Sequence, residues 1–283
     1  MSDATRPAAT AGRPTLGFGI LSWHGYDSLR ATLESYRAAD LFSLADEVLL
    51  FLPEITPQGR EIAREFGVPF AGSEKNLGIL GGFKALAGNL SSERIVLLEN
   101  DYRLVEDHAT AARQLAAAGA DIDDGSAHFV RLRHRRRPGQ NWQGRKVAGL
   151  FPPDEASALV HLRALLHRKL RPDKASRLIG TTPYLFDDAD RRWPETVSRS
   201  PRGTYLVSGA HLPWSNCPTL VPRAFYLSEI VAEAEKRVKG RLVNGFPTIE
   251  TELNCPWWRE HGFRIGIAAD GLFSQIRLND RGY

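Results

Sequence analysis

The chain's first hundred residues predict an α/β protein with a parallel, doubly wound sheet, and three observations carry that prediction. Apolar runs without alternation recur at LGFGIL, VLLFL and IVLL, as expected of strands buried on both faces. Between them lie stretches whose apolar residues fall at helical spacing. Proline and glycine punctuate the joins. With 283 residues, 42% of them hydrophobic and 25% charged, the composition is that of a globular protein of one large or two small domains.

In chain order, a strand begins at Leu16 and is followed by a helix in which Tyr26, Leu29, Leu33 and Tyr36 share a stripe. The second strand begins at Val48 and ends at Pro53. Pro57 then suits the first position of a helix that Ile62 and Phe66 mark and Gly67 stops. Val68 to Ala71 reads as a short strand, Leu80 to Leu90 as a third helix, and Arg94 to Leu98 as the fourth strand. Such an order places ligands above the carboxyl edge of the sheet. The opening MSDATRPAATAGRP lacks the apolar centre of a signal peptide and is expected to form a disordered tail. No apolar run reaches membrane-spanning length, so a cytoplasmic location is the expectation.

The middle of the chain changes character. HFVRLRH, from His128, alternates as a half-exposed strand would, with Val130 and Leu132 on one side and arginines on the other. The net charge of +4 (37 − 33) is modest but concentrated: Arg131, Arg133, Arg135, Arg136, Arg137, Arg145 and Lys146 are followed by Arg163, Arg168, Lys169 and Arg171. Clusters of this kind attract phosphates, although a solvated surface is the commoner explanation. A helix is expected over 154–171, opened by Pro152 and Pro153 and closed by Pro172, with Leu159, Leu162, Leu166 and Leu170 on one stripe. Basic amphipathic helices lie on anionic membranes, but a stripe this narrow is expected to pack on its own domain. Residues 172–203, crowded with proline and arginine, are expected to be a loop or lid, and a last strand is expected at Phe263–Ala269. Cys217 and Cys255 show neither a disulfide framework nor metal-ligand spacing and read as packing residues, and His24 and His211 as structural ones.

Several phosphate-binding and hydrolytic motifs are excluded. GFGILSWHG lacks the third glycine of a dinucleotide fingerprint, NLGILGGFK lacks the ending of a P-loop, and neither a nucleophile elbow nor an H-E-x-x-H helix is present. What remains is acidic. Glu99 and Asp101 flank Asn100 directly after IVLL, and residues two apart on a strand point the same way. Held close they would repel, unless a cation sat between them; a divalent ion there would bridge a diphosphate. The plainer alternative is that Asp101 caps a helix while Glu99 meets water. Further on, Glu250 and Glu252 in ETEL form a second acidic cluster, suited to proton abstraction or simply favoured at a helix start.

Taken together these segments resemble the GT-A glycosyltransferases, in particular the family 2 enzymes that use nucleotide sugars, through most of residues 15–278. LSWHGYDSLRATLESY resembles the family's opening strand and helix, which makes Ser22 and Trp23 candidates for contact with the nucleotide base. FLPEITPQGREIAREFG is similar to the second strand and its acidic turn and puts Glu54 near base or ribose; EKNLGILGGFKAL, similar to the segment flanking the nucleotide, gives Asn76 and Gly78. LLENDYRL stands where the family has its D-x-D motif, so the resemblance implies Glu99, Asn100 and Asp101 at the diphosphate and Mg²⁺ or Mn²⁺ on Asp101 and Glu99. WSNCPTLVPRAFY is similar to the stretch before the general base, and ETEL to the D-x-E-L that carries it, which implies Glu250, with Glu252 as second candidate.

The implied architecture is a Rossmann-like, doubly wound mixed sheet in one GT-A domain, 15–283. Residues 15–107 form its nucleotide-sugar half and 108–283, with the basic helical and loop insertion, its acceptor half. The implied activity is inverting transfer of a sugar from a nucleoside-diphosphate sugar to a hydroxyl of a glycan, lipid-linked glycan or small molecule. Trp214, Trp257 and Trp258 are candidates for stacking on sugar faces. Peripheral contact with the inner face of a membrane is compatible with the basic middle. One departure stands out: Ser274 or Gln275 occupies the place after the last strand where the wider fold often has a metal-binding histidine. Two rivals remain, a sugar nucleotidyltransferase and a non-catalytic nucleic-acid or phosphate-binding protein. SWHGYDSL makes a poor triphosphate loop, and only Trp142 interleaves an aromatic with the arginines.

Overall fold

The computed structural model describes residues 14–140, 144–238, 242, 243 and 245–278; Trp142 and nearly all of the expected tail lie outside them. The first half alternates as the apolar runs predict. It runs β1 (Leu16–Leu21), α1 (Tyr26–Ala38), β2 (Glu47–Leu52), α2 (Pro57–Glu65), β3 (Phe70–Gly72), α3 (Gly78–Asn89) and β4 (Arg94–Glu99). Thr56 caps α2 by accepting from the Gly59 N–H at 3.1 Å, with Pro57 in the first turn. The chain continues through β5 (Tyr102–Leu104), α4 (His108–Asp123), β6 (Phe129–Arg131), α5 (Gly144–Ala148), α6 (Ala158–Leu170), α7 (Pro172–Leu178) and α8 (Ala189–Arg192). It closes with β7 (Val197–Arg199), β8 (Tyr205–Ser208), β9 (Thr219–Pro222), α9 (Arg223–Phe225), α10 (Ala232–Lys236), α11 (Ile249–Leu253), α12 (Pro256–His261), β10 (Arg264–Ile267) and β11 (Phe273–Gln275).

Nine strands form one mixed sheet in the order β3-β2-β1-β4-β9-β6-β10-β8-β7, and β11 pairs with β5 in a separate antiparallel ribbon. Strands β1 to β4 are parallel, while β9 runs against both β4 and β6. The unalternating runs are explained by two cores, one on each face. Ile95 and Leu97 of β4 join the core with α3, whereas Val96 and Leu98 join the core with α1 and α4. Each such side chain contributes roughly 1.5–3 kcal/mol by leaving water.

Four expectations fail here in whole or in part, for related reasons. β6 is not half exposed: it lies between β9 and β10, and Phe129, Val130 and Arg131 are all buried. Three of the arginines around it are therefore not a solvated surface, since Arg131, Arg133 and Arg135 are each 6% exposed or less, whereas Arg136, Arg137, Arg145 and Lys146 are exposed as expected. Residues 172–203 are no open loop; α7, a 3₁₀ turn at Ile179–Tyr184, α8 and β7 bury Leu178, Tyr184, Phe186 and Val197 in the core. Finally, the leucine stripe of α6 does not pack on its own domain, because Ala164 alone in that helix is buried.

Candidate active site

At the carboxyl end of β4 the strand stops at Glu99 and the chain turns at Asn100 and Asp101 before β5 begins. Strand alternation therefore does not govern the pair, and the two acids have different surroundings. The Asn100 side chain donates to the His24 carbonyl at 2.9 Å and ties this turn to the turn between β1 and α1. Gly25 in that turn has φ 63°, and a Cβ there would lie 2.8 Å from Asn100 Nδ2, so glycine is required twice over. Asp101 is 1% exposed, and its Oδ2 accepts from Arg277 Nη2 (2.9 Å), Arg277 Nε (3.1 Å) and Gln275 Nε2 (3.1 Å). Its Oδ1 is buried without a partner. Glu99 instead faces a cavity of about 680 Å³. Burial, then the nearby Asp101 and Glu250 carboxylates, hold its carboxyl well above the usual range, against the pull of Arg277 and Arg133.

The cavity wall is cationic. Arg131, Arg133, Arg145, Lys146 and Arg277 line it, against the carboxylates of Glu99 and Glu250. The arginines that flank β6 are fixed by loop carbonyls: Arg133 Nε donates to Pro138 O at 2.8 Å and Nη2 to Gln140 O, while Arg131 Nη2 donates to Pro213 O. Arg135, next in alternation, is held by Pro183 O and Ala269 O at 2.6 Å each and by Asp187 at 2.8 Å. Guanidinium groups so held keep their charge in place before any anion arrives.

Opposite stands α11. Thr248 caps it by accepting from Thr251 N–H at 3.1 Å, which puts Glu250 in its first turn. Glu250 accepts from Asn216 N–H at 2.8 Å and from Ser215 Oγ at 3.0 Å, and it lines the cavity. Residues two apart on a helix point about 200° apart. Glu252 accordingly turns inward, 4% exposed, and is absent from the cavity wall. Of the two acids in ETEL, Glu250 alone faces the cavity.

The remaining candidates sit along the same sheet edge, but none of Ser22, Trp23, Glu54, Asn76 or Gly78 lines this cavity. Trp23 Nε1 donates to Glu54 Oε2 at 3.0 Å, and the His24 ring lies 3.6 Å from the same oxygen. Ser22 is buried. Asn76 Oδ1 accepts from the Gly78 N–H at 2.8 Å, and Gly78, at φ 66°, has Phe246 so close that a Cβ would fall 2.3 Å from it. Trp214 and Trp258 are 4% and 1% exposed, packed around Phe129, so their faces are not free for a sugar. Trp257 stacks on His261 at 4.2 Å. Tyr102 and Tyr184 line the cavity in their place. Arg277 had no signal in the sequence, and Ser215 and Asn216 only their place in WSNCPTLVPRAFY, because the pairing of β5 with β11 and the packing of α11 against the loop before β9 bring them in. Gln275, expected where a histidine often stands, spends its amide on Asp101.

No family model matches the chain, and no curated protein does. Among solved structures, the mannosyltransferase PcManGT from Pyrobaculum calidifontis, in complex with GDP-Man and Mn²⁺, is similar at a TM-score of 0.50 and 11% identity, over 96% of this chain and 59% of that one. TarS from S. aureus in complex with UDP gives 0.49 and 12%, over 92% and 60%. Glucosyl-3-phosphoglycerate synthase from Mycobacterium tuberculosis, with Mn²⁺, UDP and glucosyl-3-phosphoglycerate, gives 0.47 and 11%, over 95% and 73%. The chain thus spans about three fifths of the length of the first two. At such identities the likeness is one of fold: the chain has the mixed α/β architecture of GT-A glycosyltransferases.

Proposed function

We propose that this chain is a glycosyltransferase that moves a sugar from a nucleoside-diphosphate sugar to an acceptor hydroxyl with inversion. The observation that carries the reading is the cavity itself, in which Glu250 faces a wall of five cationic side chains at the sheet's carboxyl edge. Glu250 takes the proton of the acceptor hydroxyl; the oxygen bonds to the anomeric carbon, and the bond to the diphosphate breaks with its electron pair leaving on phosphate. Arg277 and Arg133 face that leaving charge, each unit pair being worth ~4 kcal/mol at about 4 Å and an effective dielectric near 20. Ser215 and Asn216 hold Glu250 in place. Trp23 and Glu54, paired at the ends of β1 and β2, would take the nucleoside, and Asn76, Gly78 and Asn100 would shape its loops.

A divalent ion is part of the reading, since PcManGT and the synthase carry Mn²⁺. The unpartnered Asp101 Oδ1 and the raised Glu99 are what a small hard cation would satisfy, so the donor set fits Mg²⁺ or Mn²⁺. Among the described residues no three His, Cys, Asp or Glu side chains cluster, and diphosphate oxygens and water would complete the shell. Once bound, such an ion would neutralise charge on the diphosphate. The nucleic-acid reading has less to rest on than the sequence suggests, because Arg131, Arg133 and Arg135 are buried rather than displayed, although Arg136 and Arg137 are exposed.

The test is thermal stability in the presence of GDP or UDP, with and without Mn²⁺, followed by transfer from the matching sugar nucleotide. Glu250→Gln should keep the nucleotide-induced stabilisation and lose ~10²–10⁴-fold in turnover. Full transfer by that variant would overturn the base assignment; no stabilisation by any nucleoside diphosphate would overturn the reading as a whole.

A further inference from the structure

Helix α6 presents its apolar face to solvent. Leu159, Leu162, Leu165, Leu166 and Leu170 are all exposed, Leu170 by 77%, and at 3.6 residues per turn they share an arc of about 140°. Ala164, the buried residue, points the other way, as does Arg168, which anchors the helix through a bond to Leu150 O and by lying 5.7 Å over the Phe151 ring. Core leucines are ordinarily hidden, so five on one outward face of a thirteen-residue helix form an unpartnered patch.

The charges on the helix itself are all of one sign, the nearest acids being Glu155 before it and Asp173 after it. Arg163, Lys169 and Arg171 are exposed beside the leucines, and residues 156–172 contain no aspartate or glutamate. Inward of the helix, a cavity of about 210 Å³ is lined by His167, Arg171 and Lys174 together with Arg145 and Lys146. The last two also line the candidate active site, so the cationic surface continues from that site to the helix. An apolar strip set among basic side chains matches the interface of an anionic bilayer, with leucines in the acyl boundary and basic groups among the headgroups. A second copy is a poorer match, since a two-fold helix pair would bring these basic edges together without an acid on either helix.

We infer that α6 is a membrane-docking helix, which seats the protein on an anionic lipid surface through Leu159, Leu162, Leu166 and Leu170 with the cavity mouth alongside. The inference does not depend on the catalytic reading. The full chain is sedimented with vesicles of phosphatidylcholine alone and of phosphatidylcholine mixed with phosphatidylglycerol. Binding is expected to the mixed vesicles and to weaken with added salt. A Leu162→Ser/Leu166→Ser variant should lose at least ~10-fold in partitioning, and Arg163→Gln/Lys169→Gln should lose the preference for the anionic lipid. Both variants should keep wild-type Tm and nucleotide-induced stabilisation, because the altered side chains are exposed. Failure of the wild type to bind anionic vesicles, or equal binding by the serine variant, would overturn the proposal. So would a wild-type dimer in sedimentation velocity that the serine variant turns into monomer, which would mark the face as a contact between copies.

Discussion

Two arginine-rich segments, 131–137 and 161–171, look alike in composition and meet opposite fates. In the first, the chain at and just after a central strand carries Arg131, Arg133 and Arg135 into the interior, where main-chain carbonyls receive most of their donors while Arg131 Nε stays buried without a partner; Arg136 and Arg137 remain exposed. In the second, the basic residues stay on an outer helix among exposed leucines. The difference teaches that position in the sheet, not local charge, decides whether an arginine becomes part of a site. β6 is covered on both faces, and an arginine on or next to it has five donors to place and mainly loop carbonyls to receive them. That arrangement costs desolvation and yields a cavity whose charge is set before a ligand binds.

Arg133→Ala is the strongest way to break the comparison. It removes the donors to Pro138 O and Gln140 O inside the protein. A loss of about 3 kcal/mol is expected, which at about 2–4 °C per kcal/mol lowers Tm by roughly 6–12 °C. Lys169→Ala, in the outer segment, should change stability by no more than ~0.5 kcal/mol. Equal changes in the two melting curves would mean that burial does not separate the segments.

Arg277 sharpens the comparison from a third position, since it is a cavity cation paired with a buried carboxylate rather than with carbonyls. Arg277→Ala should weaken nucleoside-diphosphate binding ~10–100-fold, or about 1.4–2.7 kcal/mol, in titration calorimetry. It should also destabilise the protein by leaving the Asp101 charge with Gln275 alone. In the double variant with Asp101→Asn the stability should return. Unchanged nucleoside-diphosphate affinity of the Arg277→Ala single variant, measured without metal ion, would assign Arg277 to the fold and not to the ligand.

The same contrast explains what the sequence could and could not disclose. β1 to β4 and the helices between them were legible because each strand's run of apolar residues and each helix's stripe is a local consequence of burial. Glu99 was legible as a candidate because it sits just beyond such a run, and Glu250 because ETEL is an acidic cluster that resembles D-x-E-L. β6 was misread because HFVRLRH alternates in polarity while both of its faces are covered by elements remote in sequence. Arg277 was missed because it reaches Asp101 across 176 residues, through a ribbon of only three residues per strand. The leucines of α6 were read as core because periodicity gives a stripe but not the direction it faces.

The smallest expected effect concerns the acid that faces the cations. In the ligand-free protein the Glu99 carboxyl is raised well above its ordinary value by burial and by Asp101 and Glu250. A carboxyl raised in the folded state stabilises the fold while protonated: the contribution is full below the unfolded value near 4.3 and is lost as pH rises through the folded one. Melting curves of the ligand-free wild type should therefore decline with pH across that window, and Glu99→Gln should flatten the decline and raise Tm at neutral pH by ~2 °C or more. Mn²⁺ should raise the wild-type Tm at neutral pH and leave the variant nearly unmoved, since it would compensate a charge the variant lacks. Parallel pH profiles for the two proteins would mean that Arg277 and Arg133 already balance Glu99, and that the wall of cations acts on this acid before any ligand or metal ion does.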